Sequence, residues 1–385
     1  MALQGIDSGL AFSANRLNRD ARIAEALSAL DTDRERARSL LNVGIVTSPA
    51  DARFYSLLGI IEEDDGNDSR AVAFYRRALA ILPTEIQALT RMLNHSLASG
   101  NLDEAVDYLE WIARRWPRHW SQVRSPLLAV MRDQAARAEI SGRFASSDQL
   151  RRLLLRALME KADGLSLAYS LLMDWRTRPD IDLTGEVNEL TYRYIRAQQY
   201  AAAFALFRLT LGAQSAGELV YNGEFDKRPS GNPFDWRLLR QAGVALSLVE
   251  RPVATSGREA DAKQKSVLSI HFLDTPIVFR NVSQFVRLTP ARYRLSIRYS
   301  SKSLRGPGPV SAEITCDPER RRLGLIEFAA GDAKGEIAST EFEVPGNRCP
   351  MQMIYFFTPD IAASWRNRYA GEMLVDSVEI ELLEQ

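Results

Sequence analysis

The sequence predicts a multidomain α plus β protein, an N-terminal α-helical repeat array followed by an antiparallel β-sandwich. Two observations carry this. Pro49, Pro83 and Pro117 stand 34 residues apart, and the same step relates Ala37, Ala71 and Ala105, Gly66 and Gly100, and Asn67 and Asn101. A fixed period of this length means stacked helical hairpins, each burying its apolar face against the next. Near residue 216 the apolar pattern changes from a helical period to alternation, which marks the start of strands. The expected domains are 1–215 and 216–385.

In the central hairpin Tyr55, Leu58 and Gly59 lie on the first helix and Gly66 and Asn67 make the turn. Ala71, Tyr75 and Ala78 lie on the second helix. Small residues let the two helices cross closely, and the aromatic fills the gap above them. Pro83 ends the unit, because proline cannot continue a helix interior. The next unit repeats this with Leu89, Met92, Leu93, Gly100, Ala105, Leu109 and Pro117; the preceding one keeps Ala37, Leu41 and Pro49, with Thr32 at the turn. These residues resemble the tetratricopeptide repeat, well over 52–118 and partly over 18–51. The resemblance implies a solenoid that binds a protein partner in its groove. Beyond Pro117 the pattern predicts helices at 121–140, 145–161, 164–176, 184–197 and 199–212, five to six hairpins in all. The basic-aromatic run RRWPRHW (114–120) reads as a capped helix end with a linker, and Arg151, Arg152 and Arg156 as a solvated helix face.

The second half alternates in short runs: 218–221, 243–250, 266–273, 281–288, 291–299, 309–316, 338–344, 350–357 and 373–383. Turns rich in Gly, Pro, Asn and Asp separate them, with no helices between, as in an antiparallel sandwich. In YRLSIRYSS, Tyr293, Leu295, Ile297 and Tyr299 share one face, and Arg294 and Arg298 the other. The run Arg320, Arg321, Arg322 reads as a solvated hairpin loop, with a contact for an acidic polymer as the alternative. The half opens with LVYNGEFD (219–226) and NPFDWRL (232–238) and closes with GEMLVDSVEIELLE (371–384). The opening Asn-Gly-x-Phe and the closing Val-Asp-x-Val resemble the jelly-roll carbohydrate-binding modules of the galactose-binding-like type. The resemblance implies glycan binding, and a structural calcium shared by an acidic residue of each end segment, here Glu224 and Asp376. Calcium takes six to eight oxygen ligands; the competing reading is that the two residues cap strands or form surface pairs.

Sugar recognition needs flat apolar faces edged by polar groups. Trp236 and Trp365 are the tryptophans of this half, flanked by Asp235, Arg237, Arg366 and Arg368. Each is either a sugar platform or a core residue, and Trp365, in the polar loop AASWRNRYAGE, is the better platform. Cys316 and Cys349 are either a disulfide or two buried thiols, since two thiols alone do not make a zinc site.

Lysine and arginine together balance aspartate and glutamate at 49 each, so no global field attracts nucleic acid. Arginine outnumbers lysine 43 to 6, as in proteins coded by GC-rich bacterial DNA. No apolar stretch is long enough to span a membrane, and MALQGIDSGLAFSANR has neither the basic n-region nor the apolar core of a signal peptide. The three histidines are scattered, and no HExxH, GxSxG, CxxC, Walker or GxGxxG motif is present. An enzyme is therefore not expected. A repeat array joined to a sugar-module-like sandwich is similar to proteins of bacterial exopolysaccharide assembly and export. That resemblance implies a non-catalytic scaffold, with a protein partner at the repeats and polysaccharide at the sandwich. It also implies a periplasmic or cell-envelope location, provided that a signal or anchor has been removed, and a cytoplasmic one otherwise. The rival readings are a purely protein-binding scaffold, a glycan-acting enzyme with carboxylates in a sandwich cleft, and a cytosolic regulator.

Overall fold

The computed structural model describes residues 18–211, 218–252, 264–360 and 364–384. The start at 1–16 and nearly all of the junction at 212–218 lie outside the described residues. Two compact units are present, 1–181 and 182–385.

The first unit contains ten α-helices among the described residues. They are α1 (Arg19–Ala29), α2 (Arg34–Thr47), α3 (Ala52–Asp64), α4 (Asp68–Ile81), α5 (Ile86–Ala98), α6 (Leu102–Arg115), α7 (Arg124–Val130), α8 (Gln134–Ala145), α9 (Asp148–Met159) and α10 (Leu165–Arg176). The pairs α1–α2, α3–α4 and α5–α6 are the expected hairpins. Gly66 and Gly100 adopt φ +78° and +73°. Each closes the preceding helix with paired hydrogen bonds: Asn67 N–H to Glu62 O and Gly66 N–H to Glu63 O, then Asn101 N–H to Ser96 O and Gly100 N–H to Leu97 O. The left-handed conformation these bonds need is the reason for glycine at the period. Asn101 then caps α6 by accepting from Glu104 N–H.

After Pro117 the regularity is lost. The single helix expected at 121–140 is a 3-10 segment (Pro117–Val123), α7, a break and α8. Asp133 makes the break by capping α8 through Ala136 N–H. No glycine turn punctuates this stretch, and the fold is held instead by indoles reaching about one repeat away in either direction along the chain. Trp116 Nε1 donates to Thr84 O at 2.7 Å, Trp120 Nε1 to Leu153 O at 2.8 Å, and Trp175 Nε1 to Ser141 O at 2.9 Å. Arg151, expected in solvent, is buried and donates to Ala145 O and Asp148.

The second unit begins with α11 (Thr184–Arg196) and α12 (Tyr200–Arg208). Sequence reading groups this hairpin with the repeats at 1–215; in the structure it belongs to the sandwich. Asn188 donates to Ser230 O and accepts from Asn232, both at 2.8 Å. Phe204 and Phe207 pack on Phe234 with ring centroids 5.2 and 5.4 Å apart. The Tyr200 hydroxyl donates to Asp317 at 2.9 Å; burial and that carboxylate both push its pKa up. The α11–α12 turn repeats the glycine hydrogen bonding with Gln198 at φ +57°. Gln198→Gly is therefore expected to stabilise the protein by about 1 kcal/mol, since glycine takes this conformation without strain. An unchanged or lowered unfolding midpoint would count against this turn geometry.

Among the described residues, ten strands form two five-stranded antiparallel sheets. They are β1 (Arg237–Leu238), β2 (Val244–Pro252), β3 (Gln264–Pro276), β4 (Val282–Val286), β5 (Ala291–Arg305), β6 (Ser311–Asp317), β7 (Arg321–Glu327), β8 (Gly331–Val344), β9 (Met351–Phe357) and β10 (Arg368–Glu384). The orders are β1-β4-β9-β6-β7 and β2-β3-β10-β5-β8. The inner faces interleave into one core that includes Leu268, Ile270, Tyr293, Leu295, Ile297, Ile314, Ile354 and Phe356. Arg294 and Arg298 point outward. Three expectations differ. Residues 218–221 form turns, not a strand. Strand β7 stands where the sequence predicts a loop: Arg320 makes the turn at φ +53°, Arg321 starts the strand, and Arg322 pairs with Glu313 at 2.8 Å. β8 and β10 are longer than their apolar runs because exposed positions extend them.

Candidate functional site

Cys316 at the end of β6 and Cys349 just before β9 are joined by a disulfide. Cys316 lies opposite Gln352 in the sheet register, so the bond ties the loop between β8 and β9 to a central strand.

The opening motif is an internal brace. Asn222, at φ +52°, closes the loop by accepting from Lys227 N–H and donating to Lys227 O. Asp235 is buried and accepts from Ser230 N–H, Ser230 hydroxyl and Trp236 N–H. Trp236 is wholly buried, tilted against Phe225 at 5.2 Å, and donates from its indole to Asn222 O. Neither Trp236 nor Asp235 reaches a surface ligand. Both are core, because the residues before β1 fold inward over the sheet end: Pro233 O accepts from Phe285 N–H.

Trp365 is different. It lies on a 3-10 turn (Ser364–Arg366) and is 64 % exposed. The Arg366 guanidinium lies over its ring, 4.5 Å from the centroid, a cation–π pair that holds ring and charge together. The turn is anchored from beneath by Asn367, which is fully buried, donates from its side chain to Ile277 O and accepts from Ile277 N–H. Arg368 follows as the first residue of β10, opposite Pro276. Residues 361–363 of the same loop lie outside the described residues. An exposed indole with a guanidinium over its ring, on a turn followed by a buried asparagine, can stack a sugar ring and hydrogen-bond its hydroxyls.

Glu224 and Asp376 are brought near one another, since Gly223 O accepts from Val378 N–H. Their surroundings do not fit calcium. Glu224 is exposed and pairs with the Lys265 ammonium at 3.4 Å. Asp376 is the unpaired residue of a bulge in β10. Burial pushes its carboxyl up, while Arg251, Lys265 and Arg298 pull it down. Cations around a carboxylate supply the charge that calcium would bring and repel the ion itself. Among the described residues, no three His, Cys, Asp or Glu side chains gather as a metal-ligand group.

No protein-family model matches the sequence, and no curated protein matches it. Among solved structures, the chain is similar to CBM4 at 14 % identity over 43 % of this chain and 99 % of that one, with a TM-score of 0.30. It is similar to pilF of Pseudomonas aeruginosa at 19 % identity over 51 % and 94 % of the two chains, TM-score 0.31. It is also similar to TmCBM61, solved with β-1,4-galactotriose, at 14 % identity over 43 % and 99 %, TM-score 0.27. The fold itself is that of tetratricopeptide-like helical hairpins followed by a two-sheet β-sandwich. Among the described residues no helix is long and apolar enough to cross a membrane.

Proposed function

We propose that the protein is a non-catalytic scaffold of bacterial exopolysaccharide assembly or export. Its helical hairpins bind a protein partner and its sandwich contacts polysaccharide. The observation that carries the glycan contact is Trp365. The other tryptophan of this half is buried in the core, whereas this ring stands out of a rigid turn under an arginine. The disulfide supports an oxidising compartment, such as the periplasm.

The test uses the full chain and a panel of neutral and acidic bacterial polysaccharides in affinity electrophoresis. Saturable retardation by one class is expected. Trp365→Ala is expected to weaken it by about tenfold, the loss of one aromatic platform. Because Trp365 is exposed, this variant should keep the parent unfolding midpoint. Retardation unaffected by Trp365→Ala removes the turn from the site. No retardation by any polymer leaves the protein-only scaffold as the better reading.

A further inference from the structure

A second surface of the sandwich unit carries two arginines and no carboxylate. A cleft of about 660 Å³ is walled by Phe204 of α12, by Arg287 and Pro290 between β4 and β5, and by Pro345, Arg348 and Pro350 between β8 and β9. No carboxylate lines it. Arg287 is held over the Phe204 ring, its guanidinium carbon 5.7 Å from the centroid. Among the described residues neither Arg287 nor Arg348 has a carboxylate partner. Arg348 sits at φ +58°, next to the cysteine that ties its loop to β6. Two arginines therefore line one cleft, and among the described residues neither is paired with a carboxylate.

Planar guanidinium forks match a carboxylate in bidentate fashion, and such charge-assisted bonds are strong where water is partly excluded. The remaining walls are rigid rings, three prolines and a phenylalanine, which suit the C–H face of a sugar. Apart from Phe204, every residue named lies in a loop, so the cleft offers no open strand edge to a peptide backbone. We infer that this cleft binds a carboxylate-bearing sugar unit, and that the sandwich selects an acidic polysaccharide. The inference deepens the glycan-contact reading and rests on it.

The test titrates the full chain with tetragalacturonate and with neutral galactotetraose by calorimetry. The acidic oligomer is expected to bind about tenfold more tightly at low salt, with the difference shrinking as salt screens the charges. The double variant Arg287→Gln, Arg348→Gly should abolish the preference. Glycine is at ease at φ +58°, so the second change removes the guanidinium without strain. Equal affinity for the two oligomers, or a preference that survives the double variant, overturns the inference. Tighter binding of hexaglutamate than of tetragalacturonate also overturns it, in favour of a peptide site. If Trp365-dependent sugar binding persists without acid preference, the cleft reading fails and the glycan contact stands. If neither oligomer binds, the cleft inference falls, and the polysaccharide panel alone decides the glycan contact.

Discussion

Gly59→Ala is expected to destabilise the first unit by about 1–3 kcal/mol, and Gly59→Trp by more, the range for overpacking a close-packed interior. A Cβ at this position would stand 2.4 Å from a ring carbon of Tyr75. The ring cannot swing aside: Tyr75 is buried, and its hydroxyl donates to Glu63 at 2.6 Å. Glu63 is in turn paired with Arg91 on α5 at 3.1 Å, so a shift of Tyr75 disturbs the next hairpin as well. Gly142→Ala is the control. It also lies within a helix, α8, but nothing stands within 4 Å of its added Cβ. Helix propensity alone should then raise stability by roughly 0.5–1 kcal/mol. Thermal or urea unfolding of the two variants should move in opposite directions. Equal shifts would show that close packing at Gly59 does not hold the α3–α4 hairpin.

Loss of the Cys316–Cys349 bond should have the larger effect on the second unit. The cysteines are 33 residues apart in sequence. Closing a loop of that length removes denatured-state entropy equivalent to about 3–4 kcal/mol on the chain-entropy relation. Cys316 and Cys349 are both buried, so substitution by alanine also loses a little packing. The double alanine variant, and the parent protein under reductant, should both lose stability. Hydrogen exchange in β6 and β9 should show the loss locally, because the bond joins the end of one strand to the start of the other. Identical exchange with and without reductant would mean that the bond does not constrain the unfolded chain.

Much of the architecture is legible in local pattern. The glycine at each period predicts a left-handed turn, and Gly66 and Gly100 both make one. Where the pattern is carried by another residue, it is hidden: Gln198 makes the same turn without a glycine to mark it. The strand β7 was hidden too, because its first residues are arginines, and an exposed edge strand needs no apolar alternation. The sugar-site candidates divide in the same way. The sequence offers both Trp236 and Trp365 as platforms, with Trp365 the better one for its polar loop. The Asn222–Asp235 brace draws the first into the core, and the Asn367 anchor holds the second in the open.

The sequence by itself determined the two fold classes, the hairpin period and most strand positions. These depend on periodicity and turn chemistry, which act between near neighbours in the chain. Only the tertiary structure decided the rest. The α11–α12 hairpin joined the sandwich because Phe204 and Phe207 found Phe234, a partner that no helical pattern encodes. Glu224 and Asp376 met cations where the family resemblance implied a metal. Arg287 and Arg348 came to line one cleft because β4, β9 and β6 are neighbours in a sheet and a disulfide secures the loop between β8 and β9. Burial and charge depend on what lies opposite a side chain in space, and that is settled by packing between elements far apart in sequence.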